Sequence, residues 1–246
     1  VLCDLHADYQ RNALWLVHET NAGRTDMDKD KKVISLFSGA GGLDIGFEKA
    51  GFNISVAVEI DSACCETLRA NRPTLPIINK SVTDVTGEEI LNAANLSVGE
   101  AALVIGGPPC QSFSLAGLRK GLNDDRGKLL FEFVRIVRET LPKGFVLENV
   151  KGLANWDKGR AIDLLLEELG KPVNYKGKTI VYHIAPPKVL DAADYGAPQF
   201  RERLILVGNR INKGYSYPKP FDTPRRTTWD AIGGASRTRY AFRGRL

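Results

Sequence analysis

Four points in this 246-residue sequence carry side chains able to do chemistry, and each follows directly on a short apolar run. The most informative is Ala101-Ala-Leu-Val-Ile-Gly-Gly-Pro-Pro-Cys-Gln-Ser-Phe-Ser114. Two prolines fix φ, and Pro108 also restricts Gly107, so the chain is stiff just where it presents Cys110. A free thiol is more often a small packing residue, but packing needs no Gly-Gly-Pro-Pro support. Cys110 therefore reads as a nucleophile on a loop at the carboxyl end of a strand, where open α/β sheets bind ligands. Cys64 and Cys65 sit among helix-forming neighbours and read as packing residues.

The first apolar run, Val33 to Phe37, leads into Phe37-Ser-Gly-Ala-Gly-Gly-Leu43. Glycines let a backbone turn sharply and approach a ligand closely. The third position of a dinucleotide fingerprint holds Asp44 instead of glycine, which points to a related nucleoside-cofactor loop. Glu59, twenty residues after Gly39 and at the end of the second strand, can accept both hydroxyls of a ribose. Asp84, after a third strand, is placed to face an adenine amino group. Phe145-Val-Leu-Glu-Asn-Val150 puts Glu148 and Asn149 at another strand end, where a carboxylate is costly to bury unless paired or in use. Gln199, Arg201 and Arg203 alternate along an extended segment and share one face, which suits a phosphate, a base carbonyl or a carboxylate partner.

Something must bring these strand ends together. From Lys32 onwards short apolar runs alternate with helical stretches, the pattern of a doubly wound, mostly parallel α/β sheet. Strands are expected at 33–37, 54–59, near Ile77, and at 102–105, 145–148, 179–184 and 204–208. Helices are expected at 43–50, 61–71, 88–94, 128–140 and 160–169. A hydrophobic content of 43% in one chain of this length fits a single such domain at 32–234, with 1–31 as an N-terminal extension. A formal net charge of +5 is compatible with a polyanionic partner. Four cysteines without CxxC spacing and three scattered histidines give no zinc cluster or metal site. The sequence shows no signal peptide and no apolar run of membrane-spanning length, so a reducing cytoplasm is the expected setting.

The segments Phe37-Ser-Gly-Ala-Gly-Gly-Leu, Gly107-Pro-Pro-Cys-Gln-Ser-Phe-Ser, Glu148-Asn-Val and Gln199-Phe-Arg-Glu-Arg203 resemble the cytosine-C5 DNA methyltransferase family, in its order. The resemblance implies a bacterial-type modification methylase with a Rossmann-like fold that uses S-adenosylmethionine and yields S-adenosylhomocysteine. It implies methylation of a flipped-out cytosine in double-stranded DNA through a covalent Cys110–C6 adduct, as part of a restriction–modification system. Glu148 would hold protonated N3, Arg203 would contact the base O2, and Arg201 would support the loop or the acid. Cofactor contacts would come from Phe37, Ser38, Gly39, Ala40, Gly41, Gly42, Leu43, Glu59, Ile60, Asp84, Val85, Pro108 and Leu129. DNA contacts would come from Gln111, Ser114, Arg119, Lys120, Asn149 and Gln199.

Family members continue past this point with a target-recognition region and a Gly-Asn-Ser-type segment that completes the cofactor pocket. Residues 235–246 read as the start or remnant of that region, and the rest is expected either on a second polypeptide that partners this one or further along a longer form of the same chain. On that reading the chain alone would not methylate a defined site. The alternatives are methylation of cytosine in transfer RNA and a regulatory methyltransferase-like subunit. Gln-Ser-Phe-Ser after Cys110 leans towards DNA, and the presence of Cys110, Glu148, Arg201 and Arg203 counts against a regulatory role.

Overall fold

The computed structural model describes residues 31–109, 128–155 and 159–233. Its first half follows the apolar runs: β1 (Lys32–Leu36), α1 (Gly42–Lys49), β2 (Asn53–Val58), α2 (Ser62–Asn71), β3 (Ile77–Ile78), α3 (Gly87–Ala93) and β4 (Leu103–Gly106). The second half has α4 (Lys128–Thr140), β5 (Gly144–Val150), the short α5 (Gly152–Asn155) and α6 (Arg160–Gly170). It continues through β6 (Val173–Tyr175), β7 (Lys178–Ile180), β8 (His183–Ile184), β9 (Lys188–Asp191), β10 (Glu202–Asn209) and α7 (Thr228–Ile232).

Among the described residues the main sheet has eight strands in the order β3-β2-β1-β4-β5-β10-β8, with β9 also on β10. The first five run parallel, and β10 enters antiparallel to β5. This is the expected doubly wound, mostly parallel sheet, and its carboxyl edge collects the turns after β1, β2, β4 and β5. The antiparallel β10 brings its amino end to the same edge, pairing Arg203 with Val150 and Ile205 with Glu148 in register.

Alternation along the strands gives the sheet two buried faces. Val33, Leu103 and Ile105 join Phe52 and Ile54 in one cluster, which partly covers Leu43 and Phe47 of α1. Ile34, Leu36, Val104, Phe145 and Leu147 point the other way, against Phe133 and Val137 of α4 and Leu165 of α6. Local chemistry sets the helix starts: Asp61 accepts from the Cys64 N–H at 2.8 Å to cap α2, as its sequence position predicts. Cys65 is buried with its thiol pushed up in pKa by that burial, and Cys64 is half-buried.

Besides α5, β6 and β9, over which no element is expected, two elements depart from the sequence-based expectation. The strand expected over 179–184 is divided: β7 pairs with β6 in a separate hairpin whose turn residues Lys176 and Gly177 both have positive φ, and β8 alone joins the main sheet. Between β7 and β8, Tyr182 is buried, and its hydroxyl donates to the Pro142 carbonyl at 2.8 Å. The second departure is α7, which Thr227 and Asp230 begin with a capping box.

Candidate active site

At the end of β1 the backbone enters the left-handed region at Phe37 (φ 53°), then at Gly39 (54°) and Gly41 (85°). A bulky residue rarely adopts that conformation, and such strain clusters where a ligand is clamped. The loop is tied down from beneath. Ser38 Oγ donates to the Ser35 carbonyl at 3.2 Å and lies 2.9 Å from Ser35 Oγ, whose own hydroxyl donates to Asp44 Oδ1 at 2.6 Å. Asp44 is fully buried, and its Oδ2 has no hydrogen-bond partner among the described residues. Burial pushes its carboxyl pKa up, against the lowering effects of the Ser35 hydroxyl and Arg72.

Glu59, at the end of β2, is 9% exposed and held by two backbone donors. Gly39 N–H reaches Oε2 at 2.7 Å, and Asp61 N–H reaches Oε1 at 2.8 Å. Each oxygen keeps a lone pair for an incoming hydroxyl. Beside it Ile60 is 67% exposed, an apolar surface at the rim. Asp84 closes a 3-10 turn (Val82–Asp84), is exposed, and accepts from the Thr83 hydroxyl at 3.0 Å. An oriented diol acceptor, an exposed apolar side chain and a second carboxylate fit a nucleoside, and a Cβ built on Gly39 would meet nothing within 4 Å.

The other half of the edge carries the acid. Glu148 on β5 pairs through Oε1 with Arg203 Nε at 2.7 Å, and both side chains are partly exposed. A Cβ at Gly107 would lie 3.0 Å from Glu148 Oε2, so glycine there lets the strand end approach the carboxylate. One cavity of about 390 Å³ joins the two halves: Ser35, Ser38, Gly42 and Leu43 line it on one side, with Gly107, Glu148 and Arg201 on the other.

Several expected site residues take different places. Arg203, expected at the base O2, pairs with the acid, while Arg201, expected to support the loop or the acid, lines the cavity. Their order follows from β10: Arg203 sits in the ladder opposite Val150, and Arg201 precedes the strand, its N–H donating to Asp191 at 2.9 Å. Asn149, expected to touch DNA, is 2% exposed. Its amide donates to the Pro108 carbonyl at 3.0 Å and its oxygen accepts from Val150 N–H, so burial corrects that expectation. Val85, expected at the cofactor, has its side chain in the core and its carbonyl bonded to Arg135. Pro108 is buried, Leu129 is half-buried in the first turn of α4, and Gln199 and Ala40 are exposed. Cys110, Gln111, Ser114, Arg119 and Lys120 lie outside the described residues.

Sequence reasoning passed over the Ser35–Asp44 pair, although a serine inside Val-Ile-Ser-Leu-Phe needs a buried partner. Among the described residues no group of three or more His, Cys, Asp or Glu side chains is placed to hold a metal. Nor is any described helix long and apolar enough to cross a membrane.

With this geometry established, four likenesses bear on it. The profile of C-5 cytosine-specific DNA methylase matches residues 31–233. The chain is 55% identical over 195 residues to the type II methyltransferase M.AquIA of Picosynechococcus sp., covering 79% of this chain and 78% of that one. It is 46% identical over 203 residues to M.XorII of Xanthomonas oryzae pv. oryzae, covering 81% of this chain and 45% of that one. A crystal structure described as a DNA modification methyltransferase encoded within a prophage (E. coli) matches with a TM-score of 0.67 and 30% identity. That match covers 82% of this chain and 54% of the other. The chain thus spans most of the first relative and about half of the other two.

Proposed function

The chain belongs to the C-5 cytosine-specific DNA methylase family, and from that membership we propose that it methylates C5 of a flipped-out cytosine in DNA with S-adenosylmethionine as donor. The observation that carries this reading is the shared cavity, in which the glycine loop and the Glu148–Arg201 wall face one space. A donor and an acceptor base held on its two sides would stand in contact.

Glu59 is set to accept the ribose hydroxyls, since two backbone N–H groups fix its carboxylate. Asp84 accepts from the adenine amino group, and Ile60 covers the adenine face. When bound, S-adenosylmethionine supplies an electrophilic methyl group. Cytosine C5 is a poor nucleophile, so the base must first be activated. Cys110, as thiolate, adds to C6, while Glu148 holds a proton at N3 and C5 gains carbanion character. Arg203 keeps Glu148 in place, and Arg201 on the cavity wall reaches the base O2. Once C5 carries the methyl group, solvent water takes the C5 proton, the C6–S bond breaks to release the Cys110 thiolate, and the C5–C6 double bond is restored. Because C6 lies inside the stack, the cytosine leaves the duplex to enter the cavity.

Residues 32–234 form the catalytic and cofactor-binding part, and residues 235–246 lead towards a target-recognition region, carried on this or a second polypeptide. Gln111, Ser114, Arg119, Lys120 and Gln199 contact DNA, chiefly its phosphates, which position without specifying sequence. A modification role within a restriction–modification system, in a bacterial cytoplasm, follows the same reading.

The test is the identity of the product. The protein receives labelled cofactor and either duplex DNA or transfer RNA, and each is digested to nucleosides. Label in 5-methyldeoxycytidine from DNA is expected. Label confined to RNA, or on a ring nitrogen or exocyclic amine, would refute the assignment.

A further inference from the structure

The glycine loop and the acid account for most polar groups at the carboxyl edge, but they leave a second cluster unexplained. On α4 the side chains of Glu132, Arg135 and Glu139 share one face, at the three- and four-residue spacings that make helix neighbours. The opposite face buries Phe133, Ile136 and Val137 in the core. Arg135 Nε donates to Glu132 at 2.7 Å, and Nη1 donates to both oxygens of Glu139 at 2.9 and 3.1 Å. Its Nη2 donates to the carbonyls of Val82 at 2.8 Å and Val85 at 2.9 Å. Those two carbonyls flank Asp84. Glu139 also reaches across, accepting from the Gly87 N–H at 2.6 Å where the next helix begins. A Cβ on Gly87 would stand 2.6 Å from Glu139 Cβ, so the contact needs glycine.

A surface ion pair alone contributes little, and this arrangement is more than needed for one. The guanidinium spans two carboxylates and two main-chain oxygens, a reach that the point charge of lysine cannot reproduce. Val82 and Val85 are also anchored by their buried side chains, at 3% and 1% exposure, whereas Asp84 between them is exposed and owes its place to how that turn is held.

We propose that Arg135 is a positioning residue for adenine recognition, holding the turn from both sides so that the Asp84 carboxylate stands at one place and angle. Arg135 makes no contact with the ligand; Glu139 and Gly87 complete the clamp from the α3 side. The inference rests on the reading of Asp84 as acceptor of the adenine amino group.

The experiment compares the dissociation constants of S-adenosylhomocysteine and its 6-deamino analogue, in which hydrogen replaces the amino group. The wild-type protein should prefer the amino form by about tenfold or more, as one charge-assisted hydrogen bond implies. Arg135→Gln should reduce that preference to about threefold or less, with the deamino analogue bound almost as before, because only the aim of Asp84 has changed. A residue that merely stabilised the fold would weaken both ligands by the same factor and keep the ratio. An unchanged ratio in folded Arg135→Gln would overturn the proposal. Glu139→Gln keeps an acceptor for Gly87 while weakening the hold on Arg135. It should lower the ratio in the same direction, and it carries the test if Arg135→Gln does not fold. Asp84→Ala separates the two readings: if it abolishes the preference while Arg135→Gln and Glu139→Gln retain it, the clamp alone is wrong. If Asp84→Ala leaves the preference intact, the Asp84 assignment falls and the clamp falls with it.

Discussion

The two halves of the carboxyl edge are held in different ways. At the ribose end of the cofactor side the backbone does the holding: Gly39 and Asp61 N–H groups fix the Glu59 carboxylate. On the reaction side it is side chains: Arg203 pairs with Glu148, and the Asn149 amide fixes the Pro108 carbonyl. The contrast suits the two tasks. A nucleoside presents fixed hydroxyls to a carboxylate that need only wait, whereas the acid at N3 must keep its place as charge develops on the base. Main-chain holding depends on glycine conformation and survives many side-chain changes. Side-chain holding fails when one partner is removed, because a charge is left without its counterpart.

Glu148→Gln should sharpen the contrast most. The proton at N3 can no longer be held by a carboxylate, and methylation should slow by roughly 10²- to 10⁴-fold, the range for loss of a general acid. The dissociation constant of S-adenosylhomocysteine should stay within about twofold of wild type, since its contacts come from the other half. Titration calorimetry beside single-turnover rates measures both. Equal losses in rate and affinity would mean that the halves are one unit.

A smaller effect concerns the base of the glycine loop. Burial raises the pKa of Asp44 in the folded state above the 3.8 of an ordinary aspartate. The folded protein therefore binds this proton more tightly than the unfolded chain. The stability associated with it is complete below the unfolded value and is lost as pH rises through the folded one. Asp44→Asn keeps an oxygen for the Ser35 hydroxyl and cannot ionise, so its stability should fall less between about pH 4 and about pH 7. Urea midpoints at those two pH values check this. Parallel slopes for wild type and variant would show that Asp44 does not titrate differently on folding.

Much of the site was legible because each chemical residue follows a buried strand, and continuous apolar runs such as Leu103-Val-Ile are hard to mistake. Glu59 and Glu148 announce themselves by polarity at a strand end. The pairing of arginines was not legible, since alternation puts Arg201 and Arg203 on one face but cannot say which meets the acid. That was decided by the antiparallel register of β10 on β5. The buried state of Asn149 was hidden for a similar reason: an asparagine after a glutamate looks like a contact residue until its amide is seen to satisfy a proline carbonyl. On the far edge, Pro186 and Pro187 separate β8 from β9, since proline cannot donate to the ladder, and the short exposed pieces carry little alternation. The grip of Arg135 on the Val82 and Val85 carbonyls could not be found from sequence, because they lie about fifty residues away.

The central claim is that one cavity brings a cofactor's methyl group to a cytosine activated by Cys110 and Glu148. Duplex DNA carrying 5-fluorocytosine at the target position tests it most directly, because fluorine cannot leave as the C5 proton does. The protein, with its recognition region and S-adenosylmethionine, should become covalently joined to this DNA. Mass spectrometry should find the protein, the oligonucleotide and one added methyl group, with the link at Cys110. Cys110→Ala should give no covalent complex while still binding S-adenosylhomocysteine. A complex that forms in Cys110→Ala, or one that forms in wild type through another residue, would contradict the account.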